Sequence, residues 1–146
     1  MFTKKNQTER SQEEFHQLTV PAFGYELIRY TFLKDILGKD YQSILYWGGK
    51  NIARKYPLKS IEEVVHFFEK SGLGQISLMK ENKNEMVFQL TSDLIANRFE
   101  RNVDYSYQLE AGFLAEQLQN ILEKEAEAME LQQKKTKSVL ITVKWE

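Results

Sequence analysis

The feature that most constrains the fold is a glycine inside a strongly apolar helical pattern. Residues 107–118 have the sequence YQLEAGFLAEQL, and Leu114 and Leu118 continue one helical stripe. Glycine inside a helix costs about 1 kcal/mol relative to alanine. Because packing usually offsets such a cost, Gly112 predicts a helix whose backbone lies close to another element.

The earlier part of the chain predicts three more helices from its helical periodicity. Gly38 ends the first, Asp40 caps the second, and Ser60 with Glu63 forms a capping box for the third. These helices cover residues 24–37, 41–55 and 61–70.

Two hairpins complete the predicted architecture. The first joins strands at 75–80 and 86–91. At the C-terminus, residues 139–145 alternate apolar and polar side chains, which predicts a strand. A strand needs a partner strand. Residues 125–133 fit either an edge strand or a continuing helix, and we favour the strand because it is the nearest partner.

The connection at 91–104 stays open from the sequence. Ser92 either caps a short helical turn or continues the preceding strand. The charged residues Arg98 and Asp104 form either an ordinary surface loop, which we favour, or a lid held by ion pairs. For the last hairpin we expect cross-strand charge pairs between its glutamates and the lysines of its turn.

The sequence therefore predicts an α+β fold, with about four helices packed against an antiparallel sheet built from two hairpins. We expect a single domain over 19–146, preceded by a flexible polar leader over 1–18.

Composition narrows the function. With 42% hydrophobic residues, a packed core is expected. The absence of cysteine excludes disulfides, thiolate metal sites and thiol nucleophiles, and it fits a cytoplasmic location. The net charge of −1 offers no general attraction for nucleic acid, and no stretch approaches the length of a membrane span. We expect no cofactor.

Metal and hydrolase sites are not indicated. Glu63 and His66 have the i, i+3 spacing of di-iron bundles, but those sites need the motif twice and His16 is the only other histidine. A solvated helix face is the better interpretation, and we predict no metal site. No Gly-x-Ser-x-Gly motif is present.

The glycines leave two interpretations open. Either they allow backbones to approach, which we favour, or they leave a slot for a flat or fatty ligand. In the second case the candidate ligand-binding residues are Tyr46, Trp47, Gly48, Gly49, Gly112 and Phe113.

Three motifs resemble the YslB-like family of Gram-positive bacterial proteins, a family of unknown function. They are 24–29 (GYELIR), 44–50 (ILYWGGK) and 109–115 (LEAGFLA). The last motif is also similar to the vinyl-reductase-type small-ligand domain, whose superfamily includes TRAPP vesicle-tethering subunits. The resemblance implies a TRAPP-subunit or NO-signalling ligand-binding-domain-like fold that covers nearly the whole chain after about residue 18.

The resemblance also implies dimerisation through the early helices, and an apolar ligand in some relatives. Possible interface residues are Tyr30, Leu33, Leu37 and Trp47. Without cysteine, neither the thiolate metal site nor the covalent acylation of some relatives carries over.

We therefore expect a cytosolic, non-enzymatic domain that forms a homodimer and binds a small apolar ligand or a protein partner. One alternative is a structural adaptor whose core is completely filled. Another is a small enzyme, because four polar side chains offer a candidate cleft: Glu26, Arg29, Tyr107 and Glu110.

Overall fold

The computed structural model describes residue 15 and residues 18–146. The predicted leader, residues 1–18, lies outside the described residues except for residues 15 and 18. His16 also lies outside them. Helix α1 runs through three consecutive segments, Ala22–Glu26, Leu27–Phe32 and Leu33–Leu37. The remaining helices are α2 Tyr41–Lys55, α3 Ile61–Ser71, α4 Asp93–Glu100 and α5 Gln108–Leu122. The strands are β1 Gln75–Glu81, β2 Glu85–Thr91, β3 Ala126–Gln133 and β4 Ser138–Trp145.

Local capping explains where two helices begin. The Ser60 hydroxyl accepts a hydrogen bond from the Glu63 amide at 3.2 Å, as the predicted capping box requires. Ser92 caps α4 in the same way, through the Ile95 amide at 3.0 Å. Of the two possibilities for 91–104, the helical one is confirmed.

The sheet has the strand order β1-β2-β4-β3, and every pairing is antiparallel. The two hairpins join through β2 and β4, where Phe88 pairs with Ile141. The terminal strand is therefore central, and β3 forms an edge. This arrangement confirms the predicted α+β class and the strand expected within 125–133, which the structure places at Ala126–Gln133.

Helix α5 is the centre of the molecule. Every residue from 110 to 118 is buried, including Glu110, Glu116 and Gln117. One side of α5 faces α2, and another packs on β3 and β4. A helix enclosed on all sides is expected to be apolar throughout, so its three buried polar side chains need partners inside the protein.

Helix α1 contains a π-helical segment, Leu27–Phe32. In such a segment the backbone hydrogen bonds link residues five apart, and it is often found at functional sites. Arg29 is the buried residue of α1. Large apolar residues of the same helix are exposed: Phe23, Leu27, Ile28, Phe32 and Ile36.

The stretch predicted as a surface loop is partly internal: Glu100, Arg101 and Asp104 are exposed, whereas Arg98 is not. Arg98 is buried on α4, and all three residues of 105–107 are buried. The loop interpretation of this charged stretch is therefore wrong for Arg98. A charged residue enters the interior here because a carboxylate and a tyrosine hydroxyl are bonded to it.

Candidate functional site

The glycines of α2 and α5 mark the point where these helices touch. A Cβ atom on Gly49 would overlap the carbonyl oxygen of Leu109 and lie 2.8 Å from the Phe113 nitrogen. A Cβ on Gly112 would overlap the carbonyl oxygen of Tyr46. Close backbone approach, the interpretation favoured from the sequence, is confirmed at these two positions. Gly48 differs, since a Cβ there would meet nothing beyond its own stretch of helix within 4 Å.

The six candidate ligand-binding residues do not surround one common space. Facing backbone fills the position of the side chains that Gly49 and Gly112 lack. Tyr46 and Trp47 line a surface groove of about 530 Å³ beside β3, whereas Phe113 lines a separate cavity beneath α1.

The groove beside β3 contains a polar cluster centred on Glu127. Its carboxylate accepts hydrogen bonds from the Tyr46 hydroxyl and, at 2.8 Å, from the Lys50 ammonium group. Burial raises the pKa of Glu127, but these two donors outweigh it and hold the pKa below its ordinary value. The Tyr46 hydroxyl also accepts the Ala128 amide of the edge strand at 2.9 Å, and this bond protects the edge.

The expected cross-strand charge pairs of the last hairpin are wrong for its best-placed residues. Glu127 pairs with Lys50 of α2, and Lys137 pairs with Glu100 of α4 at 2.7 Å. Glu130 accepts the Tyr107 amide at 2.9 Å, and burial raises the pKa of Glu130. These side chains connect the hairpin to α2, to α4 and to the start of α5.

A buried ion pair connects α1 to α5. The Arg29 guanidinium donates to the Glu110 carboxylate at 2.7 Å and to the Ser106 carbonyl oxygen at 3.2 Å. It also donates to the Tyr25 hydroxyl at 2.7 Å. Burial alone would lower the pKa of Arg29, but the attraction of Glu110 raises it, so this side chain remains charged.

A second arginine continues this network. Arg98 donates to both Glu26 carboxylate oxygens, at 2.6 and 3.1 Å, and to the Tyr107 hydroxyl at 3.2 Å. Its guanidinium carbon lies 3.7 Å from the Tyr105 ring centroid, close enough for a cation–π interaction. The four residues suggested as an enzyme cleft therefore meet in one network, but as partners of Arg29 and Arg98. From the sequence, Arg98 was expected only in a surface loop or an ion-paired lid, and Tyr105 was not indicated.

A cavity of about 340 Å³ lies between α1 and the body of the domain. Four of the lining residues belong to α1. The others belong to α2, α3 and α5, together with Leu73, which follows α3. The lining includes Tyr25, Ile28, Arg29, Leu33, Leu73 and Leu109. Its position, directly beneath the π-helical segment, makes it a candidate binding site.

The described residues contain no group of three or more His, Asp or Glu side chains placed to hold a metal ion. Glu63 and His66 are both exposed on α3, and Glu63 accepts the Lys59 amide at 2.8 Å. Within the same part of the chain, no helix combines the length and hydropathy needed to cross a membrane.

This architecture defines the class of the protein. It is an α+β domain with helices on one side of a four-stranded antiparallel sheet. The chain resembles the crystal structure of a vinyl-4-reductase family protein from Methanocaldococcus jannaschii, with a TM-score of 0.67 and 16% identity. The match covers 94% of this chain and 89% of that one, and it shows the fold alone.

Sequence comparison identifies the family of the chain. The family model described as "Protein of unknown function (DUF2507)" matches residues 22–144, and the chain belongs to that family. It is 42% identical over 142 residues to the uncharacterized protein YslB of Bacillus subtilis, covering 97% of this chain and 96% of YslB. It is also 25% identical over 107 residues to the uncharacterized protein MJ1642 of Methanocaldococcus jannaschii, covering 73% and 65%. The predicted YslB-like resemblance is confirmed.

Proposed function

We propose that this protein is a non-enzymatic domain that forms a homodimer through the outer face of α1. One observation carries the proposal: the side of α1 that faces away from the domain is a stripe of large apolar side chains. Such a stripe is normally covered by another element, whereas the described residues leave it exposed. The exposed fractions of Phe23, Phe32 and Ile36 are 72%, 55% and 64%.

The π-helical segment keeps the outer apolar residues on one side. Phe23, Leu27, Phe32 and Ile36 are spaced four, five and four residues apart. The five-residue step coincides with Leu27–Phe32, where the helical repeat is itself longer. These four residues, which we call the outer face of α1, form one stripe.

Charge favours a second copy as the occupant of this face. Glu26 and Arg29 have ion-pair partners in this chain, and Lys34 bonds to Tyr30 at 3.4 Å and lies 3.7 Å from Asp104. A stripe of uncharged apolar side chains does not repel its own copy, and it suits the isologous contact of a two-fold dimer. The implied dimerisation of similar domains through their early helices adds support.

The proposed interface uses other residues than those suggested by the sequence. Trp47 is 59% exposed and remains available for a contact. Tyr30, Leu33 and Leu37 are only half-buried, yet Tyr30 stacks on Tyr105 at 5.8 Å and Leu33 lines the cavity beneath α1. The outer face of α1 is the more exposed surface for the proposed contact.

The non-enzymatic part of the proposal rests on how the charged groups are used. Glu26, Arg29, Arg98 and Glu110 bond to one another or to tyrosines inside the domain. Because these charges are already compensated inside the domain, their arrangement favours a structural role over a catalytic one. A cytoplasmic location, suggested by the cysteine-free sequence, belongs to the same proposal.

Sedimentation equilibrium of the full chain over a concentration series tests the dimer. The expected mass is twice the chain mass of 17.2 kDa, and Phe32→Glu should shift the protein to monomer. Met129→Glu is the matched control, because Met129 is equally exposed but lies on the sheet. A wild type that stays monomeric at every concentration, or a Phe32→Glu variant that stays dimeric, would contradict the proposal. In the monomeric case a different protein is the better occupant.

A further inference from the structure

From the groove between the end of α2 and α3 we infer a binding site for a small organic cation, namely an ammonium ion attached to an apolar body. The inference does not rest on the dimer, because no residue of the outer face of α1 lines this groove. Three features of the groove carry it: the volume, the aromatic walls and the carboxylates at one end.

The volume sets the size of the ligand. It is about 540 Å³, which lies within the roughly 300–1,000 Å³ of small-molecule sites. At about 30 Å³ per water molecule in the liquid, the groove holds on the order of 18 non-hydrogen atoms. Two of its aromatic residues, Tyr56 and Phe15, are 38% and 70% exposed, so a ligand can reach them from the solvent.

Aromatic rings form the walls of the groove. The centroids of the Tyr56 and Phe67 rings lie 5.8 Å apart, and the ring planes are tilted by 51°. Phe67 also stacks on Phe113 at 4.9 Å, which holds its ring in place. Phe15 and Leu58 complete the apolar part of the lining. The face of an aromatic ring attracts cations, and several rings around one site recognise organic ammonium ions. The walls therefore suit both the charge and the apolar body of such a ligand.

The charged residues of the lining favour a cation over an anion. Glu62 and Glu63 line the groove at the first turn of α3, whereas Lys70 lines it at the last turn, with His66 between them. At about 1.5 Å per residue, the two ends are on the order of 10 Å apart along the helix axis. The start of a helix carries roughly half a positive charge, and two carboxylates exceed it. An ammonium ion is therefore attracted to the acidic end of the groove, and an anion is repelled there.

Three probes of matched size separate these statements: the cation benzyltrimethylammonium, the neutral benzyl methyl sulfone and the anion phenylmethanesulfonate. Each is titrated into the isotope-labelled full chain, and the amide shifts of α3 are followed by NMR. We expect saturable shifts with the cation, which should bind at least about threefold more tightly than the sulfone, as a cation–π contribution at an exposed site requires. The sulfonate should bind most weakly of the three. No saturable shift with the cation, or binding of either other probe as tight as that of the cation, overturns the inference.

Variants of the groove locate the site. Tyr56→Leu removes one aromatic wall and should weaken binding of benzyltrimethylammonium at least about threefold, whereas Tyr56→Phe keeps the ring and should bind it as the wild type does. Glu62→Gln should weaken binding by a similar factor, because it removes one of the two attracting charges. Glu69→Gln is the matched control for charge and should leave binding unchanged, because Glu69 is exposed on the same helix but lines a different pocket, beside Gly72 and Gly74.

Circular dichroism shows whether each variant is folded, and changes on two different elements guard against one variant failing to fold. Wild-type affinity in both folded variants, Tyr56→Leu and Glu62→Gln, overturns the inference. An equal loss in Glu69→Gln and Glu62→Gln also overturns it, because the attraction would then belong to the whole helix rather than to the groove. Sedimentation of the same samples reports the dimer separately, so either proposal can fail alone.

Discussion

Arg29 and Glu110, which are 81 residues apart in the sequence, form an ion pair at 2.7 Å between α1 and α5. Both side chains are almost completely buried, and the pair is the main polar link between α1 and the centre of the domain. Replacing one member leaves the other charged and without a counter-charge, which typically costs about 3–5 kcal/mol. We therefore expect Arg29→Met to lower the free energy of unfolding by about that amount.

Urea unfolding measures this effect, and two further variants sharpen it. Arg29→Met with Glu110→Leu should recover most of the loss, because no buried charge remains. Lys137→Met removes an ion pair whose side chains are 46% and 56% exposed, and it should cost less than about 1 kcal/mol. A loss in Arg29→Met no larger than that in Lys137→Met would show that the buried pair does not hold α1.

The adjacent glycines of α2 should respond in opposite ways to alanine. Gly49→Ala forces a Cβ into the Leu109 carbonyl, and the backbones must separate, so we expect a loss of about 3 kcal/mol or more. Gly48→Ala meets open space and gains helix propensity, so stability should rise by up to about 1 kcal/mol. Gly112→Ala should behave like Gly49→Ala. Thermal melts compare all three, and equal effects at Gly48 and Gly49 would exclude close backbone approach as the cause.

These positions show what the sequence can and cannot predict. A glycine inside an apolar helical pattern already indicates close packing, and Gly49 and Gly112 confirm it. The sequence cannot separate Gly48 from Gly49, because one residue rotates the helix by about 100° and only the partner helix decides which glycine faces it.

The sequence grouped four members of the buried network as a candidate cleft, but it did not predict which arginine binds which partner. A charged residue on a short helix is usually solvated, and the partners of Arg98 are Glu26, 72 residues away, and Tyr107. The edge contacts of β3 were missed in the same way: Glu127 has a plausible lysine across its own hairpin turn, yet it binds Lys50 of α2. Local pattern predicts the elements well because capping and periodicity are local. It does not identify long-range polar partners.

Two glutamates of β3 should affect the pH dependence of stability with opposite signs. The folded pKa of Glu127 lies below the ordinary value of 4.5. Its stabilising effect is therefore complete above pH 4.5 and is lost as the pH falls through the folded pKa. The advantage of wild type over Glu127→Gln should be about 1 kcal/mol or less at neutral pH, because this carboxylate is largely exposed, and it should vanish in acid.

For Glu130 the sign is reversed. Burial raises its folded pKa above 4.5, so the folded protein binds more protons than the unfolded chain just above that pH. Stability of wild type relative to Glu130→Gln should therefore fall as the pH rises from 4.5 through the folded pKa. Urea unfolding between pH 3 and 7 measures both differences. Parallel pH profiles for the two variants would contradict the assigned environments.

Tyr46 should protect the free edge of the sheet through one hydroxyl group. That group accepts the outward-facing Ala128 amide of β3 at 2.9 Å and donates to Glu127. Tyr46→Phe leaves the amide without this partner, at a cost of about 1–2 kcal/mol. We expect hydrogen exchange at Ala128 to accelerate more than the global loss of stability explains, while the Phe88 and Ile141 amides of the central strands follow the global change.

Tyr56→Phe is the control, because the Tyr56 ring packs on Phe67 away from β3. Unchanged protection of the Ala128 amide in Tyr46→Phe would mean that the hydroxyl does not protect the edge.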